Sequence, residues 1–406
     1  MNYAALLGFG VVGSGTAEVL TRNQSLIEAR VGEPIRIKYI LDLRDFPDSP
    51  FRDRIVHDFQ TILEDPEVSV VAEMMGGAHP AYDYTKALLL AGKNVVTSNK
   101  QVVACFGTEL LALAREHGVS YLFEASVGGG IPIIRPLRED LAQNRIHAVS
   151  GILNGTTNYI LTEMETRGTP FDKVLRDAQS KGYAEKDPTA DIAGIDAARK
   201  IAILAAMAFG KRMDPDSLPC EGITQVTAAD AALAREMGGA VKLIGYTARN
   251  PETGRILAMV SPRFVPGGNP LAGVSGVCNG ILVHADMVGD VMFYGPGAGK
   301  LPTASAVVSD MMEATHADPA AMPVWQDAET GDVCDFEAYT CRSLLVFDAP
   351  AEAAGLLAAH FGGAEATISK PRRLSFVTPA LSEHDTAVRI ATAGYPLVSR
   401  LRVLEG

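Results

Sequence analysis

The sequence predicts an α/β protein with three parts: an N-terminal doubly wound parallel sheet, an α+β region and a C-terminal βαββαβ module. Short apolar segments alternate with amphipathic helical segments over the first 130 residues, which is the pattern of a parallel sheet flanked by helices. This rhythm is lost after residue 131, and a compact strand–helix–strand–strand–helix–strand order begins near residue 335. A chain of 406 residues is also too long for one ordinary core, which favours two or three domains.

The first region contains apolar runs with the length and composition of buried strands. They are Tyr3–Leu7, Ile35–Leu41, Val68–Met74, Asn94–Val96 and Val119–Phe123. Helical patterns lie between them, for example over Ala81–Ala91 and Thr108–His117. The strand–helix alternation therefore predicts a parallel sheet within residues 1–130.

The middle region, residues 131–300, mixes longer helices and strands. Strands are predicted at His147–Leu153, Val241–Arg249, Leu257–Pro262, Gly280–Val283 and Val291–Tyr294. Helices are predicted at Asn158–Arg167, Phe171–Lys181, Pro188–Phe209 and Thr227–Met237. Asp187 before Pro188 is a helix-start signal, because aspartate caps free N–H groups and proline suits the first turn. A further helix around 303–315 is expected to complete the first domain.

The last region, residues 335–406, predicts a ferredoxin-like module. Its elements are a strand at Cys341–Phe347, a helix at Ala351–Phe361, a strand pair at Ala366–Ser369 and Arg373–Val377, a helix at Ser382–Ala393 and a strand at Val398–Leu404. We expect residues 1–130, 131–300 and 335–406 to form three domains, joined before the last one by a linker over 329–333.

Composition excludes several classes of protein. The formal net charge is −12, so a basic face for nucleic acid is not expected. No apolar run reaches the ~18–20 residues of a membrane helix, and the first residues lack the features of a signal peptide. The five cysteines are far apart and show no metal-binding spacing. These features favour a cytoplasmic protein with reduced thiols and without a membrane partner.

A glycine-rich loop follows the first predicted strand. Gly8, Phe9, Gly10, Val11, Val12 and Gly13 fit the pattern G-x-G-x-x-G and open a helical segment. Glycines let the backbone approach a pyrophosphate, and the helix start supplies N–H groups and the positive end of its dipole. Strand, loop and helix in this order predict a Rossmann-type dinucleotide site, with a ligand-free strand–helix turn as the alternative.

The end of the second strand bears on which dinucleotide binds. Asp42 stands where a carboxylate grips the ribose 2′-hydroxyl of NAD, although a solvated loop carboxylate is equally consistent with it. Arg44 lies two residues later and is suited to the 2′-phosphate of NADP. The sequence therefore leaves NAD and NADP both open.

Two further loops leave strands of the first domain. Ser98 and Lys100 lie just after the strand Asn94–Val96, at the sheet edge where open α/β sheets bind ligands. A solvated surface lysine is the alternative for Lys100. Glu124 begins the segment Glu124–Pro132, which contains three consecutive glycines. A carboxylate beside free carbonyl groups suits a hard cation, whereas composition alone favours an interdomain hinge.

An acidic cluster and a lysine occupy the predicted helix of the middle region. Asp196 and Lys200 are four residues apart and project from one helical face. A lysine that nearby acids keep cationic suits proton donation to an oxygen that becomes negative. An exposed ion pair without function is the alternative.

These motifs together resemble homoserine dehydrogenases. The resemblance rests on segments in family order over about residues 3–315: Leu7–Gly13, Val95–Lys100, Glu124–Ile134, Gly151–Leu161, Gly182–Lys200 and Tyr294–Thr303. It implies reversible reduction of L-aspartate 4-semialdehyde to L-homoserine with NAD(P)H, a step toward threonine and methionine. It also implies that the C-terminal module resembles the ACT domain of bacterial members and that the chain is a homodimer or homotetramer.

The resemblance also assigns roles to residues. Lys200 matches the lysine that gives or takes the hydroxyl proton, and Lys100 a second active-site lysine. Glu185, Asp196 and Asp191 match substrate-binding acids, while Gly182 and Gly299 match backbone positions near the nicotinamide. The matches to a sodium site, held largely by carbonyls, are Glu124, Val127, Gly129 and Ile131.

The residues argue against two rival functions. An aspartate-semialdehyde dehydrogenase needs a nucleophilic cysteine, and Cys105, Cys220 and Cys278 lack such a setting. A catalytically inactive protein that senses NAD(P) or an amino acid is expected to have lost Lys200, Glu185 or Lys100. All three are present.

Overall fold

The computed structural model describes residues 2–316, 318–363 and 367–405. In chain order the strands are β1 (Asn2–Leu7), β2 (Ile35–Leu41), β3 (Ile55–Val56), β4 (Val68–Glu73), β5 (Asn94–Thr97), β6 (Tyr121–Leu122), β7 (Ile146–Ile152), β8 (Lys211–Arg212), β9 (Gly239–Arg249), β10 (Ile256–Pro266), β11 (Cys278–Ala285), β12 (Gly289–Pro296), β13 (Gln326–Asp327), β14 (Thr340–Cys341), β15 (Ser343–Phe347), β16 (Thr367–Lys370), β17 (Arg373–Val377), β18 (Leu381–Ser382) and β19 (Leu397–Val403).

The helices are α1 (Val11–Arg22), α2 (Gln24–Val31), α3 (Gln60–Leu63), α4 (Ala81–Leu90), α5 (Lys100–Glu116), α6 (Ile134–Arg138), α7 (Gly155–Arg167), α8 (Phe171–Ser180), α9 (Thr189–Ile192), α10 (Ile195–Phe209), α11 (Ala228–Glu236), α12 (Lys300–Ala314), α13 (Ala354–His360) and α14 (Glu383–Thr392). Among the described residues, no helix is both long enough and apolar enough to cross a bilayer.

The chain forms two compact units. The first contains residues 1–149, 199–217 and 279–328, and the second contains residues 150–198, 218–278 and 329–406. The division into domains 1–130, 131–300 and 335–406 stays a prediction.

The first unit is built on a parallel sheet with the strand order β3–β2–β1–β4–β5–β6. This order confirms the predicted doubly wound sheet. The chain adds strands on one side of β1 as far as β3 and then on the other side from β4 to β6, so the strand order reverses between β1 and β4. Ligands bind at such a reversal, outside the carboxyl ends of the strands. Helix α12 packs against α1 at Gly15, where a Cβ would lie 2.8 Å from the carbonyl oxygen of Lys300. Helix α12 therefore packs within the first unit.

The second unit contains the strand order β9–β10–β19–β15–β17–β16. Strands β9 and β10 are antiparallel over their whole lengths. Strand β19 pairs in parallel with β10, through Arg263 with Arg402 and Phe264 with Val403, and antiparallel with β15. The last region shows the predicted βαββαβ order, and its sheet is continuous with the long hairpin of the middle region. Its resemblance to an ACT domain stays a prediction.

Two predicted helices differ from the structure. Helix α5 begins at Lys100 instead of Thr108, because the Asn99 side chain accepts hydrogen bonds from the N–H groups of Gln101 and Val102 and caps the helix. The predicted single helix Pro188–Phe209 is two helices, because Gly194 has a φ of +86° and ends α9 before α10 begins. The predicted start of β16, Ala366, lies outside the described residues.

Candidate active site

The glycine loop after β1 has the geometry of a phosphate-binding turn. Gly8 has a φ of +92°, and a Cβ at Gly13 would lie 2.0 Å from the carbonyl oxygen of Gly8, so neither position accepts a larger residue without distortion. A Cβ at Gly10 would meet nothing within 4 Å. The backbone at Gly10 is therefore open to an approaching group directly before the N-terminus of α1.

A cavity of about 450 Å³ lies beside this loop. It is lined by Gly8, Gly10, Leu41, Asp42, Leu43, Arg44, His57, Met74, Met75, Gly76, Pro80 and Tyr84. Most of these residues lie at or just after the carboxyl ends of β1, β2 and β4, where the order of the sheet reverses, while His57 follows β3 and Tyr84 lies on α4. The cavity thus has the position and the mainly apolar lining expected for the adenosine half of a dinucleotide.

Asp42 is held at the rim of this cavity by a backbone donor and an arginine. Its carboxylate accepts a 2.8 Å hydrogen bond from the N–H of Phe9 and two 3.0 Å bonds from the guanidinium of Arg44. The Arg44 guanidinium lowers the pKa of Asp42 to about 2, so this carboxylate is ionised at neutral pH. His57 adds a ring nitrogen 2.7 Å from the carbonyl oxygen of Asp42. Asp42, which can accept a hydrogen bond from a ribose hydroxyl, therefore lies beside Arg44, which can bind a phosphate.

Buried Glu73 organises the turn that carries Ser98 and Lys100. Its carboxylate accepts hydrogen bonds from the Thr97 hydroxyl at 2.6 Å and from the N–H of Met75 at 2.8 Å. Burial raises the pKa of Glu73. The N–H of Ser98 donates to the Glu73 carbonyl at 3.3 Å, and Lys100 begins α5 directly after this turn. The ends of β4 and β5 thereby hold Lys100 at the ligand-binding edge of the sheet.

The Glu124 carboxylate is occupied by backbone groups. It accepts hydrogen bonds from the N–H groups of Ile133, Ile134 and Arg135 at 2.6, 2.8 and 2.7 Å. The N–H of Glu124 donates to Asp310 at 2.8 Å, and burial together with the nearby Glu124 charge raises the pKa of Asp310. Among the described residues, no group of three or more histidine, cysteine, aspartate or glutamate side chains is arranged for a metal. A cation at this loop would therefore depend on backbone carbonyls.

The three glycines after Val127 are required by close packing. Gly129 has a φ of +59°, and a Cβ on it would lie 2.4 Å from the carbonyl oxygen of Gly297. The N–H of Gly130 donates to the Pro296 carbonyl at 3.0 Å. Two loops of the first unit thus lie backbone against backbone, directly before Gly299 caps α12 with a φ of +122°.

In the second unit, Asn154 joins two of the predicted substrate acids. Its side-chain amide donates to Asp191 at 2.8 Å and to Asp196 at 2.9 Å. Its oxygen accepts from the N–H of Thr157 at 2.9 Å and caps α7. Asn154 and Asp196 are 7% and 6% exposed, so these hydrogen bonds to charged groups form away from water. The structure therefore brings Asp191 and Asp196 together through a residue that the sequence reasoning missed.

Glu185 lies on a loop whose backbone is fixed and whose side chain is exposed. Gly182 has a φ of +75° at the turn after α8. The Thr156 hydroxyl donates to the Tyr183 carbonyl at 2.6 Å, which ties this loop to the start of α7. The Gln179 amide donates to the Glu185 carbonyl at 3.2 Å. The Glu185 carboxylate is accessible to a ligand.

Lys200 lies on α10, one turn after Asp196, and is 8% exposed. A buried lysine is unusual and requires a polar setting, so an exposed ion pair is the wrong interpretation of this residue. Lys100 and Lys200 belong to the first unit, and Asp191, Asp196 and Glu185 to the second.

Comparison with known proteins assigns the family. The profile described as homoserine dehydrogenase matches residues 132–312, and the homoserine dehydrogenase NAD binding domain matches residues 8–124. A homoserine dehydrogenase of Synechocystis sp. is 45% identical over 76% of this chain and 72% of its own, and that of Bacillus subtilis is 42% identical over 76% and 71%.

The chain belongs to the homoserine dehydrogenase family.

Solved structures agree with this assignment. A homoserine dehydrogenase structure from Thiobacillus denitrificans has a TM-score of 0.92 and 36% identity, covering 100% of this chain and 98% of that one. A hyperthermophilic archaeal homoserine dehydrogenase in complex with NADPH has a TM-score of 0.66 and 29% identity, covering 77% of this chain and 97% of that one. The predicted family is thus confirmed. The prediction that the protein is an NAD(P)-dependent oxidoreductase is confirmed with it.

The sequence held partial signals for the residues that the reasoning missed. Asn154 occupies the helix-cap position between β7 and α7, a place where asparagine is common for structural reasons alone. His57 follows the short strand β3, which sequence patterning did not detect. In this homoserine dehydrogenase family member, each of these side chains is bound to a residue with a predicted role.

Proposed function

We propose that this chain interconverts L-homoserine and L-aspartate 4-semialdehyde, with Lys200 as the proton carrier and Asp191, Asp196 and Glu185 as substrate acids. The observation that carries the proposal is the cluster of Asn154, Asp191 and Asp196, with Lys200 one helical turn beyond it. Carboxylates suit the substrate ammonium group, and a lysine ammonium suits an oxygen that gains negative charge.

In this proposal, an NAD(P) held by the glycine loop Gly8 to Gly13 would supply the hydride chemistry at the carbonyl carbon of the substrate. The Lys200 ammonium stabilises the developing alkoxide and passes one proton to it, which yields the hydroxyl of homoserine. In the reverse direction the Lys200 amine takes this hydroxyl proton. Lys100, at the carboxyl edge of the sheet, is proposed as a second active-site lysine.

The loop and cavity of the first unit fit an NAD(P) cofactor, because an open glycine backbone precedes a helix start and a carboxylate lies beside a guanidinium. Gly8 to Gly13 would hold the pyrophosphate, and Asp42 and Arg44 would hold the adenosine ribose. Ser98, Gly182 and Gly299 are proposed to line the nicotinamide end.

We also propose a monovalent cation at the carbonyls of Glu124, Val127, Gly129 and Ile131, and a homodimer or homotetramer as the assembly.

The direct test is oxidation of homoserine with NAD and NADP in parallel, followed by absorbance of the reduced cofactor. We expect turnover with at least one cofactor. A folded protein that binds NADPH but turns over neither homoserine nor aspartate semialdehyde would contradict the proposal and support an inactive sensing homologue.

The Glu185→Gln variant is expected to raise KM for homoserine roughly 10- to 100-fold, while KM for the cofactor changes little. A charge-assisted contact to the substrate ammonium contributes roughly 1.5–3 kcal/mol, and glutamine keeps the shape of the side chain without its charge. Initial rates at varied homoserine measure the effect. Glu252→Gln, an exposed glutamate in the turn between β9 and β10, is the control. An unchanged homoserine KM would remove Glu185 from the site.

The Arg44→Ala variant is expected to lower kcat/KM for NADPH at least ~10-fold relative to that for NADH. Arg44 is exposed at the cavity rim and is free to exchange its bond to Asp42 for one to a 2′-phosphate. Paired assays with both cofactors give the ratio, and Arg52→Ala, an exposed arginine in the same stretch of chain, serves as control. An unaltered ratio would show that Arg44 does not read the phosphate.

A further inference from the structure

Arg402 of strand β19 joins two acidic residues from different parts of the second unit. It is 5% exposed, and its guanidinium donates to both carboxylate oxygens of Glu383 at 2.8 Å. Its remaining terminal nitrogen donates to Glu221 at 2.8 Å. Glu383 opens helix α14 of the C-terminal module, whereas Glu221 belongs to the middle region. Arg402 therefore ties the module to the loop that contains Glu221.

The loop over residues 219–223 is fixed on one side to strand β10. The N–H of Glu221 donates to the Val260 carbonyl at 2.8 Å, and the N–H of Val260 donates to the Pro219 carbonyl at 2.9 Å. Arg263, three residues further along β10, pairs with Arg402 in the sheet. The Glu221 backbone and side chain are thus both held by the strands that join the module to the middle region.

The opposite side of this loop lies against the segment that connects α9 to α10. The N–H of Ile223 donates to the Ile192 carbonyl at 2.8 Å, and a Cβ at Gly222 would lie 2.1 Å from the same oxygen. The Cys220 thiol lies 3.3 Å from the Ala193 carbonyl, and a Cβ at Gly194 would lie 3.0 Å from its sulfur. Glycines at both contact points allow this backbone-to-backbone approach.

The segment Ile192–Gly194, which comprises the last residue of α9 and the two residues before α10, sets the relative position of two substrate acids. Asp191 is on α9 and Asp196 on α10, and the two helices are joined through the left-handed Gly194. Both carboxylates must reach the single amide of Asn154, at 2.8 and 2.9 Å. A shift of this segment would therefore change the distance between the two carboxylates.

We propose that Arg402 and Glu221 are positioning residues for Asp191 and Asp196, so that the C-terminal module sets the affinity for homoserine. The inference rests on the proposed function of these two acids. The path runs from α14 through Arg402, Glu221 and the 219–223 loop to the segment between α9 and α10, and each step is a hydrogen bond or a backbone contact within the second unit. Coupling through such a chain of contacts alters binding of the substrate without touching it.

The decisive variant is Glu221→Ala in the full chain. The Glu221 side chain is half exposed, and its removal leaves the backbone bonds to β10 intact, so the variant is expected to fold. We expect KM for homoserine to rise roughly 3- to 10-fold, with kcat and the cofactor KM within about twofold of wild type. Arg400→Gln is the matched control, because Arg400 contacts Glu383 from the same strand.

A second measurement does not depend on turnover. Amide hydrogen exchange over residues 189–198 is expected to accelerate in Glu221→Ala and to stay unchanged in Arg400→Gln. The double variant with Arg402→Gln and Glu221→Ala is expected to show the homoserine KM of Arg402→Gln alone, because both act through one link.

Two results would overturn the proposal: a homoserine KM and exchange rate in Glu221→Ala equal to wild type, or an equal rise in homoserine and cofactor KM. The second would indicate general loosening of the fold. Failure of the proposed function has a different signature, since the wild-type chain would then not oxidise homoserine while the exchange measurement still reports the link.

Discussion

The Lys200→Ala variant is expected to lose at least ~100-fold in kcat for homoserine oxidation, the lower range of general acid–base catalysis. Alanine is a good helix former, so α10 should persist and cofactor binding should be retained. Single-turnover formation of the reduced cofactor measures the chemical step without product release. The size of the loss follows from the role of Lys200: without its amine, water must accept the hydroxyl proton.

Two companion variants separate proton transfer from charge and from general lysine effects. Lys200→Arg keeps the positive charge but cannot give up a proton near neutral pH, so it should be nearly as impaired as alanine. Lys173→Ala removes an exposed lysine on α8 and should behave as wild type. A loss of less than tenfold in Lys200→Ala would assign the proton to another group, with Lys100 the next candidate.

The Asn154→Asp variant is expected to lower kcat/KM for homoserine at least ~100-fold. Aspartate caps a helix as well as asparagine does, so α7 keeps its start. The exchange removes both N–H donors to Asp191 and Asp196 and adds a third carboxylate beside them. Hydrogen bonds to charged groups contribute ~1.5–3 kcal/mol each, so two lost bonds account for the expected factor.

The matched control is Asn250→Asp, because Asn250 also accepts backbone N–H groups in a turn but lies on the exposed β9–β10 loop. It should retain wild-type kinetics. Circular dichroism and thermal unfolding of both variants check the helix cap. If Asn154→Asp unfolds no earlier and binds homoserine as wild type does, the three-residue cluster has no role in substrate binding.

Local rules predict much of this structure, and they fail where distant residues decide the outcome. The loop after β1 and the parallel sheet can be predicted from the sequence, because glycine spacing and apolar runs act within a few residues. The break at Gly194 is not readable, since an apolar helical pattern continues on both sides and only the 219–223 loop packed there explains it. The start of α5 cannot be predicted in the same way, because Asn99 both ends a turn and caps the helix.

The candidate site shows the same division. Asp191, Asp196 and Lys200 carry chemical groups that suggest a role, and a family resemblance places them. Asn154 carries a neutral amide, and only tertiary folding reveals that its two hydrogens point at two carboxylates 37 and 42 residues away. The Glu124 carboxylate accepts hydrogen bonds from N–H groups at the start of α6, a contact that depends on the path of the intervening loop. The cation site at the carbonyls of this loop stays a prediction.

The position of β19 has a consequence for how this protein is made. This strand lies between β10 and β15, yet it follows both of them in the chain. During synthesis, β10 leaves the ribosome long before β19 has been made. The edge of β10 that pairs with β19 is then exposed and prone to aggregation. The hairpin β9–β10 and the strands β15, β16 and β17 can join into one sheet only when β19 is inserted between β10 and β15. A chain truncated before β19 would therefore contain two separate half-sheets with open edges. Chaperones and proteases would be expected to act on such a chain.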